Sequence, residues 1–126
     1  YPFVISISRE QFESLVREAL SQLPNDVRNH LNNVDVVVDG SASTSQLVGT
    51  GIPNEMELLG LYEGIPLTER YGYDLVLPDK ITLFQKPIET ICETQEQITE
   101  EIKATIVHEI GHHFGIDDDR LHNLGL

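Results

Sequence analysis

Residues 108–119, HEIGHHFGIDDD, carry more information about fold and chemistry than any other part of this 126-residue chain. His108 and His112 are four residues apart, and residues at i and i+4 of an α-helix lie on the same face. Two imidazoles placed in this way can bind one metal ion. Glu109 lies one residue after His108, about 100° around the helix. Its carboxylate can therefore act on a water at the metal without being a ligand.

The aspartates that follow the helix are candidates for a third metal ligand. Catalytic zinc usually has three protein ligands and a fourth position for water. Gly115 can adopt a positive φ and reverse the chain, and Asp118 follows six residues after His112. We therefore expect Asp118 to be the third ligand, with Asp117 and Asp119 as alternatives. At this composition H-E-x-x-H arises by chance in about one sequence in fifty, and the added Gly and Asp reduce that to about one in ten thousand.

The motif is predicted to lie at the end of a long helix. Thr94 and Gln97 form a capping-box pair that begins this helix, and Gly115 follows its end. Isoleucine recurs every four residues along the helix, so that one face is apolar. Phe114 continues this spacing and Val107 widens the face.

A second helix is predicted over residues 8–23, where Ser8 and Gln11 form a capping-box pair and Pro24 follows the end. Residues 40–54 are rich in Ser, Thr and Gly, and we expect a loop there. Further predicted elements are a helical turn at 26–31 and strands at 33–39, 58–62 and 75–84, the last interrupted at 78–80. The predicted fold class is α+β: one domain over residues 1–126, with a small twisted mixed sheet of three to four strands packed on two main helices.

Composition limits the range of partners. The formal net charge is −13, from 21 acidic and 8 basic residues. A nucleic-acid surface needs clustered Lys and Arg, so no nucleic-acid partner is expected. No apolar run approaches the ~20 residues that span a bilayer, and no signal-peptide pattern is recognised at the start, so we expect a cytoplasmic protein without a membrane partner. The single cysteine, Cys92, is expected to be a small core residue. The oligomeric state is left open.

Three stretches together resemble a family of small bacterial zincin-like metallopeptidases with a minimal zincin, or matrix-metalloprotease-like, fold. They are LLGLYEGIPLTER at 58–70, LPDKITLF at 77–84 and HEIGHHFGIDDDRL at 108–121, the last with the extended zincin pattern H-E-x-x-H-x-x-G-x-x-H/D. The resemblance runs from Ser8 onward, except at 40–54. It implies Zn²⁺ held by His108, His112 and Asp118, Glu109 as general base, and peptide or protein substrates. One feature departs from the metzincins: the only methionine lies far upstream, so no Met-turn supports the metal.

Two other functions are considered beside a zinc metallopeptidase. A zinc-binding interaction module would have the metal without turnover. Metal-dependent endoribonucleases that mature rRNA carry H-x-x-x-H-x-x-G-x-x-H, usually without the glutamate, so Glu109 and the net charge argue against that activity. We expect His113 to be packed or solvent-facing and the tyrosines to pack rather than stabilise an oxyanion. Residues 58–62 are the candidate sheet edge along which a peptide substrate would lie.

Overall fold

The computed structural model describes residues 5–64 and 79–114 of the chain. These residues form a three-stranded mixed sheet together with α-helices, which confirms the α+β class. In chain order the elements are α1 (Arg9–Gln22), α2 (Asn25–Asn29), β1 (Val34–Asp39), α3 (Thr44–Thr50), a 3₁₀ turn (Glu55–Glu57), β2 (Gly60–Glu63), β3 (Asp79–Phe84), α4 (Gln85–Thr90) and α5 (Gln95–Phe114).

The sheet has the strand order β1-β3-β2, so β2 lies at one edge of the described sheet. β1 pairs with β3 in parallel, with Val36 opposite Ile81, and β2 pairs with β3 antiparallel, with Tyr62 opposite Ile81. β2 begins two residues later than predicted, because Leu58 follows the 3₁₀ turn and is buried beneath the sheet instead. β3 begins at Asp79, inside the predicted interruption, whereas residues 75–77 lie outside the described residues.

The predicted helix at 8–23 is confirmed as α1. The Oγ of Ser8 accepts from the Gln11 N–H at 3.1 Å, and the Oε1 of Gln11 accepts from the Ser8 N–H at 3.2 Å. This reciprocal capping box satisfies two main-chain donors that have no partner inside the helix. One apolar face of α1 packs against α5 in the main core, and its buried members are Phe12, Leu15, Val16 and Ala19.

The long helix α5 begins at Gln95, as predicted. The Gln97 N–H donates to Oγ1 of Thr94 at 3.1 Å, but the Gln97 side chain accepts from the Glu93 N–H at 2.6 Å rather than from Thr94. The four-residue isoleucine repeat is buried along its whole length. Phe114 was predicted to continue this buried face, but its side chain is 46 % exposed and lies outside the core. The buried isoleucines are Ile98, Ile102, Ile106 and Ile110.

The prediction of a loop at 40–54 is wrong for the middle of this range, where residues Thr44–Thr50 form α3. Ser43 and Gln46 make a complete capping box, and Gly51 ends the helix at φ 74°. Leu47 and Ile52 pack against a second apolar cluster on the far side of the sheet. The high Ser, Thr and Gly content therefore marks the two ends of a short helix rather than a continuous loop.

The two faces of the sheet carry two separate cores. Ile81 and Leu83 face α1 and α5, whereas Phe84 packs with Ala42 and Leu58 on the other face. The helix α4, which follows β3 directly, was not predicted. Cys92 is 3 % exposed in the main core, which confirms it as a small core residue. No helix within the described ranges is long and apolar enough to cross a membrane.

Candidate active site

The exposed side of α5 presents the two histidines of the motif. His108 and His112 are solvent-exposed, and their ring centroids are 6.2 Å apart with an interplanar angle of 59°. One helical turn separates them, so both side chains project from the same face of α5. The two imidazoles therefore lie on one face of α5, as the spacing of four residues predicts.

This pair of imidazoles fits a shared zinc ion. A Zn–N distance of about 2.0–2.1 Å places each ring centroid ~3.2 Å from the ion. Two rings on one ion therefore have centroids no more than ~6.4 Å apart, and ~5 Å at a tetrahedral angle. The observed 6.2 Å lies inside this upper limit and about 1 Å above the tetrahedral value. Neutral imidazole is also a donor that zinc prefers.

Glu109 lies beside the histidine pair but bonds to the sheet. Its Oε1 accepts a hydrogen bond from the Tyr62 main-chain N–H at 2.9 Å. Burial raises the pKa of Glu109 above its usual value, whereas the Tyr62 amide, His112 and His108 oppose the rise. Burial outweighs these opposing contributions, so in the metal-free chain the Glu109 carboxylate binds a proton more strongly than an exposed one does.

The side chain of Tyr62 is fixed at both ends. Its ring stacks on the His113 ring, with centroids 3.9 Å apart and an interplanar angle of 18°. Its hydroxyl donates to Oδ2 of Asp79 at 2.7 Å. Phe114 meets the His113 ring edge-on at 4.9 Å and lies 4.8 Å from the His30 ring. The expectations that Tyr62 and His113 pack are both confirmed, and they pack against each other.

Gly60 brings β2 close to α5. A Cβ added at Gly60 would lie 2.5 Å from Cγ2 of Thr105 and 3.2 Å from the Thr82 main-chain oxygen. No other residue fits without moving the strand or the helix, so glycine sets this approach. Because Thr105 lies one turn before Glu109, the contact places the edge strand within reach of the Glu109 carboxylate.

A family model for zincin-like metallopeptidases matches residues 31–126. The chain belongs to the zincin-like metallopeptidase family. No curated protein matches the chain significantly. The matched region of this zincin-like protein includes β1 to α5 and begins later than the resemblance expected from Ser8 onward. Membership in this family points to zinc-dependent hydrolysis as the class of chemistry.

The third ligand predicted for this zincin-like site, Asp118, lies outside the described residues, as do Gly115, Asp117 and Asp119. Within residues 5–64 and 79–114, no three His, Cys, Asp or Glu side chains are grouped for a metal. The three-ligand set therefore remains a prediction.

Sequence reasoning missed the contact between β2 and the motif helix. The Tyr62 group in this contact is a main-chain N–H, and the type of side chain at a position does not predict what its main-chain N–H will contact. Gly60 was the available signal, since a glycine inside a strand pattern marks a close approach of another part of the chain. Within the described residues, β2 is the strand that contacts Glu109.

Proposed function

We propose that the chain is a zinc-dependent peptidase in which His108, His112 and Asp118 bind the metal and Glu109 is the general base. Family membership supports metallopeptidase chemistry. The observation that supports the assignment most is the position of Glu109: its carboxylate lies on α5 beside the histidine pair and meets the edge strand β2. Base, metal donors and a strand edge are the three parts that peptide hydrolysis at a metal needs.

The edge strand β2 supplies the surface for the substrate backbone. An extended peptide can add to a sheet edge through main-chain hydrogen bonds. In the antiparallel ladder the N–H and C=O groups of alternate residues point away from the partner strand. On β2 these residues are Gly60 and Tyr62, and the Tyr62 N–H is already bonded to Glu109. A peptide along this edge therefore lies next to the Glu109 carboxylate.

The chemical step is the addition of water to the scissile carbonyl followed by loss of the amine. Zinc, when bound, supplies Lewis acidity that polarises the carbonyl and lowers the pKa of a coordinated water toward ~7. Glu109 takes a proton from the attacking water as the O–C bond forms. It then passes the proton to the amine nitrogen as the C–N bond breaks.

The test is zinc-dependent cleavage of a peptide library by the wild-type chain and by His112→Ala. The account expects hydrolysis by the wild type after zinc reconstitution, loss of hydrolysis with a chelator, and loss in His112→Ala. His30→Ala is the control for removal of a histidine, because His30 follows the end of α2 and bonds the Asp26 main-chain oxygen through Nδ1. Zinc bound without peptide cleavage would indicate an interaction module instead. Cleavage of RNA but not peptide would indicate a nuclease.

A further inference from the structure

One row of side chains on α5 faces the edge strand β2. Thr105, Glu109 and His113 follow one another at intervals of four residues, so they share one stripe of the helix. Thr105 meets Gly60 through Cγ2, Glu109 meets the Tyr62 N–H through Oε1, and His113 stacks on the Tyr62 ring. The histidines predicted to bind zinc form the neighbouring row, one residue earlier at each turn.

The hydrogen-bond register of β2 leaves the Tyr62 N–H unused by the sheet. The Phe84 N–H donates to the Leu59 oxygen at 2.9 Å, and Leu61 stands opposite Thr82. Hydrogen-bonded and non-bonded pairs alternate in an antiparallel ladder, so the Tyr62 N–H points away from β3. Glu109 accepts from this outward-facing N–H at 2.9 Å.

The contact fixes one oxygen of the carboxylate. Oε1 of Glu109 is bonded to Tyr62, and no described residue donates a hydrogen bond to Oε2. A carboxylate held at one oxygen by a main-chain group loses most of its rotational freedom about the last χ angle. Oε2 then keeps a constant direction while it accepts and returns a proton.

We propose that the Tyr62 main-chain N–H positions Glu109 for proton transfer, and that the Thr105 and His113 contacts hold β2 in the register that makes this possible. The inference rests on the proposed role of Glu109 as general base. Two further contacts between β2 and α5 lie on either side of Glu109. Gly60 contacts Thr105, one helical turn before Glu109, and the Tyr62 ring stacks on His113, one turn after it. The Tyr62 hydroxyl adds a bond to Asp79 on β3.

The contact itself is tested in metal-free protein by amide hydrogen exchange. An outward-facing edge amide exchanges quickly unless something accepts from it. The Tyr62 amide is expected to exchange about tenfold or more faster in Glu109→Ala than in the wild type. Glu109→Gln keeps an acceptor oxygen and retains the protection. The Leu61 amide, which belongs to the ladder with β3, is the internal control for folding and keeps its protection in all three proteins.

The positioning role is tested by replacing the Tyr62 amide with an ester, using the α-hydroxy analogue of tyrosine. The ester removes the Tyr62 N–H. It also makes the Leu61 carbonyl, which belongs to the same ester group, a weaker hydrogen-bond acceptor. An ester at position 60 is the matched control, because it also removes an outward-facing N–H and weakens one ladder carbonyl. We expect kcat to fall about tenfold or more at position 62, with KM and zinc affinity within about twofold. The position 60 ester removes an N–H from the proposed substrate edge, so it is expected to raise KM but to leave kcat within about twofold.

The stacking contact is tested by His113→Ala and His113→Phe. The alanine variant lowers kcat, and the phenylalanine variant, which keeps an aromatic ring against Tyr62, restores it. Equal Tyr62 exchange in the wild type and Glu109→Ala would overturn the inference and leave the proposed function intact. An unchanged kcat in the position 62 ester would do the same. A zinc-loaded wild type that cleaves no peptide would overturn the proposed function and the positioning role with it, whatever the exchange data show.

Discussion

The Oε1 atom of Glu109 accepts a 2.9 Å hydrogen bond from the main-chain N–H of Tyr62. This bond joins the residue predicted to be the general base to the edge strand predicted to receive the substrate. A single hydrogen bond thus couples the position of β2 to the geometry of the site, and changes that move β2 are expected to alter chemistry as well as stability.

Gly60→Ala is expected to destabilise the protein. The new Cβ would lie 2.5 Å from Cγ2 of Thr105, and overpacking of this kind costs about 1–3 kcal/mol. Gly49→Ala is the matched control, because nothing lies within 4 Å of a Cβ there and the residue sits inside α3. Alanine in a helix is favoured over glycine by up to ~1 kcal/mol, so the control is expected to gain stability. Urea unfolding of the two variants measures the difference.

A second substitution tests the cause of that loss. Thr105→Ser removes Cγ2, so the Gly60→Ala, Thr105→Ser double variant is expected to recover part of the stability lost by Gly60→Ala alone. A double variant whose loss equals the sum of the two single losses would show that the contact with Thr105 is not what limits residue 60.

Asp118→Ala is expected to weaken zinc binding more than Asp117→Ala or Asp119→Ala. Each variant removes one negative charge, so the three serve as controls for one another. Loss of a residue that only supports a ligand costs 10–100-fold in affinity, so loss of a direct ligand is expected to cost at least about 100-fold. Competition titration with a zinc chelator gives the dissociation constants. If Asp119→Ala proved the most damaging, the spacing used to choose Asp118 would be wrong.

The thiol of Cys92 is expected to be unreactive in the folded chain. Burial, with a smaller contribution from the charge of Glu101, raises its pKa from 9.0 to about 11. The thiolate is the reactive form, so alkylation near neutral pH should be slow until the chain is unfolded by urea. Time-resolved mass spectrometry with iodoacetamide measures this. Rapid labelling of the folded chain would contradict the burial of this side chain in the core.

The same shift gives stability a defined dependence on pH. The folded chain keeps the thiol proton up to about pH 11, whereas the unfolded chain releases it near 9.0. The folded state therefore binds more protons between these values, and this part of the stability is complete below 9.0 and is lost as pH rises. Subtracting the pH profile of Cys92→Ala isolates the contribution, since alanine has no proton to release. A wild-type profile parallel to that of Cys92→Ala would contradict the shift.

Local signals in the sequence were sufficient to predict where the two main helices, α1 and α5, begin. Ser8 with Gln11 and Thr94 with Gln97 mark the starts of α1 and α5, because an N-cap oxygen is needed where four main-chain N–H groups lack partners. The i, i+4 spacing placed His108 and His112 on one face for the same geometric reason. The missed helix α3 carried the same kind of signal in Ser43 and Gln46, hidden within a composition typical of loops.

The connection between strand and helix could not be predicted from composition or periodicity. It depends on which Tyr62 groups face the partner strand, and that register is set by β3 pairing at a distance of about twenty residues in the chain. Phe114 was misplaced because the four-residue repeat was extended one turn beyond the core, where the structure puts its ring beside His30 and His113. Periodicity gives the direction of a side chain and not the point at which the core ends.

The most direct test of the account is the rate of peptide hydrolysis by Glu109→Gln and wild-type protein at equal zinc content. Gln keeps the shape of Glu and an oxygen for the Tyr62 N–H, so folding and metal binding should persist. Glu96→Gln, which makes the same change at an exposed site on α5, is the control for loss of one charge. We predict that Glu109→Gln lowers the rate by ~10²–10⁴ and that Glu96→Gln leaves it unchanged. A Glu109→Gln rate equal to that of the wild type would contradict the assignment of Glu109 as general base.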